Sequence, residues 1–254
     1  MKLLTWNING LDSSFLDERT EVAVFTAIIG TTLDEISKGA KPWAPPEVVC
    51  FQEVTAHTFR AHLQPHMRAG GYTVLPEVAP DRQTFEVVAV RKPYDIVEHR
   101  ELPLDESVFG RVLHLVDLDG PLGKLRVATG HFDSGPEAGA TRKVQLRQVV
   151  DELGQRGVFG GDANFRKQEW LDLKDSLDVF DAWESVGEPS ATRFTWFMND
   201  MKARFDRVWV APQLSATHLS AVGERKIAGL GMRPSDHIGL LVTVADSMAT
   251  GLPG

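Results

Sequence analysis

Val48-Val49-Cys50-Phe51-Gln52-Glu53-Val54 is the most telling segment of the chain for its architecture. It has the length of a strand and carries apolar residues on both alternating faces, as expected where a sheet is covered on both sides. The run predicts an α/β protein. It also ends on a carboxylate, Glu53, which is expensive to desolvate unless it is paired or binds a metal. Thr55 is placed to cap a following helix, whose Phe59, Leu63 and Met67 form one stripe before Gly70-Gly71 stops it.

Outward from this strand, apolar runs of similar length alternate with amphipathic stretches. Strands are predicted at Phe85 to Val90, Val112 to Leu118, Leu125 to His131, Arg204 to Val210 and Ile238 to Val244. Asp119-Gly120-Pro121-Leu122-Gly123 reads as a hairpin loop. Phe25, Ile28, Ile29 and Ile36 recur at helical spacing until Gly39 and Pro42, and Leu146, Val149, Val150 and Leu153 mark a second helix face. Repeats, low-complexity segments and linkers are absent, so one domain is expected over residues 1–246, with a tail at 247–254.

Composition narrows the classes. A chain of 254 residues buries a sizeable core without a disulfide or metal staple. The single cysteine, Cys50, lies among Val48, Val49 and Phe51 and is expected to pack as a small hydrophobe. The N-terminal apolar run is too short for a signal peptide, and nothing approaches the ~20 apolar residues that span a bilayer. A soluble intracellular protein without a membrane partner is expected. The net charge of −8 argues against a protein that grips duplex DNA mainly through its phosphates.

Four polar clusters each follow or end a strand-length run: Thr5-Trp6-Asn7-Ile8-Asn9, Gln52-Glu53, Gly161-Asp162-Ala163-Asn164 and Ser235-Asp236-His237. A sheet could gather them into one site. Glu53, helped by Asn7 or Asp236, suits an open Mg²⁺ site, because this ion takes only one or two protein carboxylates and fills its other positions with water and phosphate oxygens. Asp162 can accept a proton from water or orient it, and Asn164 can donate to a phosphoryl oxygen. In isolation the same Gly-Asp-X-Asn stretch reads as a turn.

His237 held by a carboxylate, Asp206 or Asp236, can stabilise a phosphoryl oxygen. A serine hydrolase is disfavoured, since the chain has no Gly-X-Ser-X-Gly elbow. His131, at a strand end just before Ser134, is expected to support the site within reach of substrate. His62 and His66 lack an evident third ligand and read as a solvated pair. Arg142, Gln145 and Arg147 read as a polar helix face, and Asp172, Asp175, Asp178 and Asp181 as solvated surface.

Taken in order, Trp6-Asn7-Ile8-Asn9-Gly10-Leu11-Asp12, Phe51-Gln52-Glu53-Val54, Gly130-His131-Phe132-Asp133-Ser134, Gly161-Asp162-Ala163-Asn164-Phe165-Arg166, Phe194-Thr195-Trp196, Arg204-Phe205-Asp206-Arg207 and Ser235-Asp236-His237-Ile238-Gly239-Leu240 resemble the endonuclease/exonuclease/phosphatase superfamily. These motifs span nearly the whole chain. His131-Phe132-Asp133-Ser134, Asp181-Ala182-Trp183-Glu184 and Arg204-Phe205-Asp206-Arg207 narrow the resemblance to the branch acting on tyrosyl adducts at 5′ DNA ends.

The resemblance implies a two-sheet α/β sandwich of the DNase I-like type and Mg²⁺-dependent phosphodiester hydrolysis by water attack, with Mn²⁺ able to substitute. It implies a metal at Glu53, and water positioned by Asp162 with Asn7. Asn164, Ser134 and His237 would hold phosphoryl oxygens, with Asp206 orienting His237. Arg166 and Trp196 would line the substrate channel, where an arginine meets phosphate and an aromatic stacks on a base. The partner implied is a single-stranded 5′ DNA end met by a monomer. Asn9 stands where the superfamily usually has aspartate, which removes a negative charge near the metal. On the same fold a general nuclease, a small-molecule phosphatase or a non-catalytic binding module remain alternatives.

Overall fold

The computed structural model describes residues 1–30 and 44–247. The expected helix end at Ile36, Gly39 and Pro42, and the tail beyond residue 247, lie outside the described residues. The chain is a two-sheet sandwich, as expected. The first sheet has the order β13-β14-β1-β2-β4-β3, built from β1 (Lys2–Asn7), β2 (Val48–Val54), β3 (Tyr72–Leu75), β4 (Phe85–Arg91), β13 (Leu214–Val222) and β14 (Gly239–Asp246). The second has the order β5-β6-β7-β8-β12-β9, from β5 (Asp95–Pro103), β6 (Val112–Asp119), β7 (Leu125–Gly130), β8 (Gly157–Asp162), β9 (Phe180–Asp181) and β12 (Asp206–Val210). A small hairpin joins β10 (Trp196–Met198) to β11 (Met201–Ala203).

Alternation along the strands creates the layers. Val48 and Cys50 face inward and pack with Leu3, Val88, Val116, Val127, Val158 and Val242 between the sheets. Val49 and Phe51 face outward against Val24, Ala27, Phe59, Leu63 and Met67. On the far side, Phe159 and Trp209 pack with Leu146, Val149 and Leu153 of the helix Gly139–Leu153. The two-sided apolar pattern of Val48 to Val54 thus marks a sheet with a second sheet on one face and helices on the other. Cys50 is fully buried, and desolvation pushes its thiol up to about 12, so it packs as a hydrophobe.

The first helix, Leu16–Ile29, contains Phe25, Ile28 and Ile29 as expected; these stay half-buried while Ala23, Val24 and Ala27 are buried. Two readings of the sequence are corrected. Arg142 and Gln145 are fully buried, leaving only Arg147 exposed on the supposed polar face. Asp181 is buried as well, whereas Asp172, Asp175 and Asp178 are exposed as expected.

The reason for both is partnership, since a buried charge persists only when it is paired. Arg142 makes a two-pronged contact to Glu169, with Nε donating to Oε2 (2.9 Å) and Nη2 to Oε1 (2.6 Å). Asp181 accepts from Trp183 N (2.9 Å) and from Nη1 of Arg207 (2.9 Å). His62 and His66 stack with ring centroids 6.5 Å apart, and His62 Nε2 also lies 3.0 Å from Asp17 Oδ1, which His57 meets as well.

Candidate active site

Strand direction brings the polar clusters to one edge. β1 runs parallel to β2, and β7 parallel to β8, so Asn7, the Gln52-Glu53 pair and Asp162 all arrive at C-terminal strand ends. β12 runs antiparallel to β8 with Asp206 opposite Asp162, and β14 runs antiparallel to β1 from just beyond His237. His131 bridges to Asp162 at the end of β7.

Glu53 reaches this edge through a break in alternation. Continued from Val49 and Phe51, position 53 would face the helices. Instead Glu53 adopts a left-handed backbone, φ 56°, where the pairing of β2 with β4 shifts register between Phe51 and Val54. Val54 takes the place among the outer apolar residues, and the Glu53 side chain turns into the site. Such a conformation costs about 1 to 3 kcal/mol in a residue with a side chain and persists where the surroundings over-determine it. Gly10 supplies part of that constraint. Its N donates to Glu53 O (3.1 Å), and a Cβ at position 10 would stand 2.0 Å from that oxygen. Asn9 and Asn164 are also left-handed, which their side chains tolerate better than most.

Asp162 is the hub. Its Oδ2 accepts from Asn7 Nδ2 (2.9 Å) and lies 3.3 Å from His131 Nε2 and 3.7 Å from His237 Nε2. Its Oδ1 accepts from the backbone N of Asn164 (3.0 Å). Asn7 Nδ2 also donates to Glu53 Oε1 (2.9 Å), so one amide ties the two carboxylates together. His237 Nδ1 meets Asp206 Oδ2 at 2.7 Å, which settles the choice between Asp206 and Asp236 as the histidine's holder. Asp206 is held in turn by Thr195, whose Oγ1 accepts from Asp206 N (3.0 Å).

Burial and charge set three ionisation states. Desolvation raises the Asp162 carboxyl above its ordinary range, His237 opposes this, and Asp206 adds to it. Burial alone would neutralise His237, but the Asp206 and Asp162 carboxylates and the hydrogen bond to Asp206 outweigh it and raise the imidazole to about 10. His131 goes the other way. Burial, with the charges of Arg111 and His237, holds it well below the usual histidine value.

The remaining candidates line the mouth. Asn164 Nδ2 donates to Phe132 O (3.2 Å), and Ser134 is half-buried in the loop beyond His131. Arg166 donates from Nη1 to Gly135 O (3.0 Å) and lies over the Phe205 ring, which packs 5.1 Å from Trp196. Trp196 Nε1 donates to Asp236 Oδ2 (3.0 Å), so Asp236 is tied to the wall of the site. Arg166 and Phe205 also border a cavity of about 710 Å³, with Lys167, Arg193, Lys202 and Arg204 in its lining.

Three supporting residues complete the site: Arg19, which carries no signal in the sequence, and Ser235 and Gln145, whose roles as positioning groups local spacing does not show. Arg19 is buried and donates to Ser14 O (2.8 Å), Pro234 O (3.0 Å) and Asn9 O (3.3 Å), which clamps the loops bearing Asn7 and His237. Ser235 Oγ donates to Asn7 O (2.8 Å) and accepts from His237 N (3.0 Å). Gln145 holds the His131–Ser134 loop through Asp133, accepting from its N (3.1 Å) and donating to its Oδ1 (3.1 Å).

The donor set suits a divalent ion. Glu53, His131 and Asp162 each present one ligand atom, all within 4.8 Å of one another. Among the described residues only Asn7 donates to the Glu53 carboxylate, through Oε1, which leaves Oε2 available. Nδ1 of His131 is buried without a hydrogen-bond partner, 3.8 Å from Glu53 Oε1.

This fold recurs in known proteins. A crystal structure of D. rerio TDP2 complexed with single strand DNA product superposes with a TM-score of 0.79 at 24% identity, over 96% of this chain and 98% of that one. The profile of the Endonuclease/Exonuclease/phosphatase family matches residues 4–237, and the chain belongs to that family. Among curated relatives, tyrosyl-DNA phosphodiesterase 2 of Gallus gallus is 29% identical over 94% of this chain, and that of Mus musculus 29% over 96%. The chain spans 65% and 66% of the lengths of those two proteins. Among the described residues no helix is long and apolar enough to cross a membrane.

Proposed function

We propose that the chain is a metal-dependent phosphodiesterase that hydrolyses a 5′-phosphodiester adduct on DNA, with a tyrosyl group as the leaving alcohol. The observation that carries this reading is the meeting of Asn7, His131 and His237 on one buried oxygen of Asp162, with Glu53 joined through the same Asn7 amide. The relatives named tyrosyl-DNA phosphodiesterase 2, and the related structure holding single-strand DNA product, support the choice of substrate.

Asp162 orients a water molecule for attack on phosphorus and takes its proton. A raised carboxyl is a better base than an ordinary one, and Asn7 fixes its direction. His237, a cation held by Asp206, donates from Nε2 to a phosphoryl oxygen as charge builds there. Asn164 and Ser134 supply further donors, and neutral His131 backs Asp162 at the substrate's edge. Glu53, through its available Oε2, would hold Mg²⁺ or Mn²⁺, with Asp236, tied to Trp196 through Oδ2, the second carboxylate expected for the ion. When bound, such an ion would supply neutralisation of the charge that develops in phosphoryl transfer. Arg166 and Trp196, joined through Phe205, offer a phosphate contact and a stacking face to a single-stranded 5′ end. The chain works as a soluble intracellular monomer in this reading, and Asn9 leaves one less negative charge around the ion.

The test compares a 5′-phosphotyrosyl oligonucleotide, an abasic duplex and soluble phosphomonoesters at equal enzyme concentration, with Mg²⁺ and with excess chelator. Release of tyrosine that stops on chelation or in Glu53→Gln is the expected result. Faster turnover of the phosphomonoesters would replace this reading with a small-molecule phosphatase, and incision of the duplex alone with a general nuclease. Silence on all three with metal present would leave a binding module.

A further inference from the structure

A second cluster of ligating side chains lies at the edge strand of the second sheet. His99 and Glu101 stand two apart on β5 and share a face, and β6 places His114 directly opposite Glu101. His99 Nε2 and His114 Nδ1 are 3.2 Å apart, and Glu101 Oε1 is 4.0 Å from His114 Nδ1. All three donor atoms lie within 4.8 Å of one another. None of the three takes part in the chemistry proposed above.

His114 carries the second observation. It is 1% exposed, and its other nitrogen, Nε2, is buried without a hydrogen-bond partner, 4.0 Å from Glu86 Oε2 on β4 of the opposite sheet. The ring is thus oriented with Nδ1 turned to His99 and Glu101 and Nε2 turned to Glu86. Burial also holds both imidazoles below their ordinary values, His114 at about 3, so they are neutral and their lone pairs are free to ligate.

We propose that His99, His114 and Glu101 form a site for a borderline-soft divalent metal ion, Zn²⁺ foremost, with water in the fourth position at the open edge. Two imidazole nitrogens bound tetrahedrally at ~2.0 to 2.1 Å stand ~3.3 Å apart, against 3.2 Å here. The rings lie 16° from parallel and share one proton between the facing nitrogens. The ion takes that proton's place when His99, half-exposed on the edge strand, tilts toward it. His114 then carries its proton on Nε2, aimed at Glu86, the outer carboxylate that fixes the tautomer of a metal-bound histidine. Arg82 Nη2 holds Glu101 through Oε2 at 3.5 Å and leaves Oε1 for the ion. Bound metal would fasten the edge strand β5 to β6 and, through Glu86, to the other sheet.

The two nitrogen donors separate this site from the carboxylate-rich active site, which suits a hard ion. The test titrates Co²⁺ into the Glu53→Gln protein in excess Mg²⁺ and reads the visible absorption of tetrahedral cobalt. One equivalent should bind, and Zn²⁺ should displace it. His99→Ala, with folding checked by circular dichroism, should abolish the signal, and Glu86→Gln should weaken binding ~10-fold or more. If His99→Ala does not fold, Glu101→Gln decides by the same loss of signal. Absence of a tetrahedral spectrum in the starting protein, or full binding in the ligand variant that folds, would overturn the site.

Discussion

His237 and His131 approach the same oxygen of Asp162, at 3.7 and 3.3 Å, from chain segments more than a hundred residues apart. Both are buried, yet they end in opposite states. His237 has a carboxylate on its far nitrogen, Asp206 at 2.7 Å, and becomes a durable cation. His131 has a bare Nδ1 and the field of Arg111, and stays neutral. Residue type and burial are the same for the two, so the difference comes from neighbours alone. One histidine is equipped to meet negative charge, and the other to shape the base.

The strongest way to break this contrast is to remove what the two share. Asp162→Asn should lower kcat by ~10²-fold or more with little change in KM, since it removes the group that orients and deprotonates water. Loss of that carboxylate also withdraws one of the three carboxylate charges, those of Asp206, Asp162 and Asp236, that hold the proton on His237. A kcat near that of the unmodified chain would move the base elsewhere.

His237→Ala comes next. A preorganised donor to a developing oxyanion is worth ~10² to 10³ in kcat, and the unmodified histidine is charged across neutral pH. Steady-state rates on the phosphotyrosyl oligonucleotide measure it. A loss confined to KM would make His237 a binding residue.

Asp206→Asn should be milder, ~10-fold, because it loosens the histidine without removing it. Its sharper signature is in pH. Asp206 raises the His237 value, so without it the cation is lost at lower pH, and the alkaline fall of activity should move down. Stability follows the same sign. A folded value raised to about 10 contributes fully below the unfolded value of ~6.5 and is lost as pH rises through the folded one. Thermal melts across that window should fall for the unmodified chain and flatten for Asp206→Asn.

The contrast between the two histidines was not legible in the sequence, although much around them was. The β2 run announces a sheet covered on both faces, and the ends of β4, β6, β7 and β14 fall close to the expected places. β5 did not show, because an edge strand with most of its residues exposed keeps no clean alternation. β13 mixes small and polar residues and was missed for a similar reason.

At the site, local spacing alone leaves Asp206 and Asp236 equivalent and the family resemblance favours Asp206, which the register of β12 against β8 puts beside Asp162. The inward turn of Glu53 depends on a left-handed backbone that glutamate does not advertise, and Gly10, pressed against its carbonyl, is the one sequence trace of it. Arg142 and Gln145 were read as surface because such side chains usually are. Their partners, Glu169 and Asp133, are contacts made by the fold and leave no mark in local spacing.

The smallest effect should come from His131→Asn, which sharpens the comparison from its quieter side. A neutral amide can still face Asp162, and no charge is removed because none was there. The expected loss in kcat is under ~10-fold, less than about 1.4 kcal/mol of barrier, with the pH profile unmoved. The same variant also separates two roles for the bare Nδ1, which lies 3.8 Å from Glu53 Oε1. If His131 only backs Asp162, the Mg²⁺ concentration for half-maximal activity should stay the same, since this ion takes oxygen donors. A large rise in that concentration would instead make His131 a metal ligand. A kcat loss equal to that of His237→Ala would mean that neutral and charged histidine do equal work on Asp162, and the division of roles by neighbouring charge would fail.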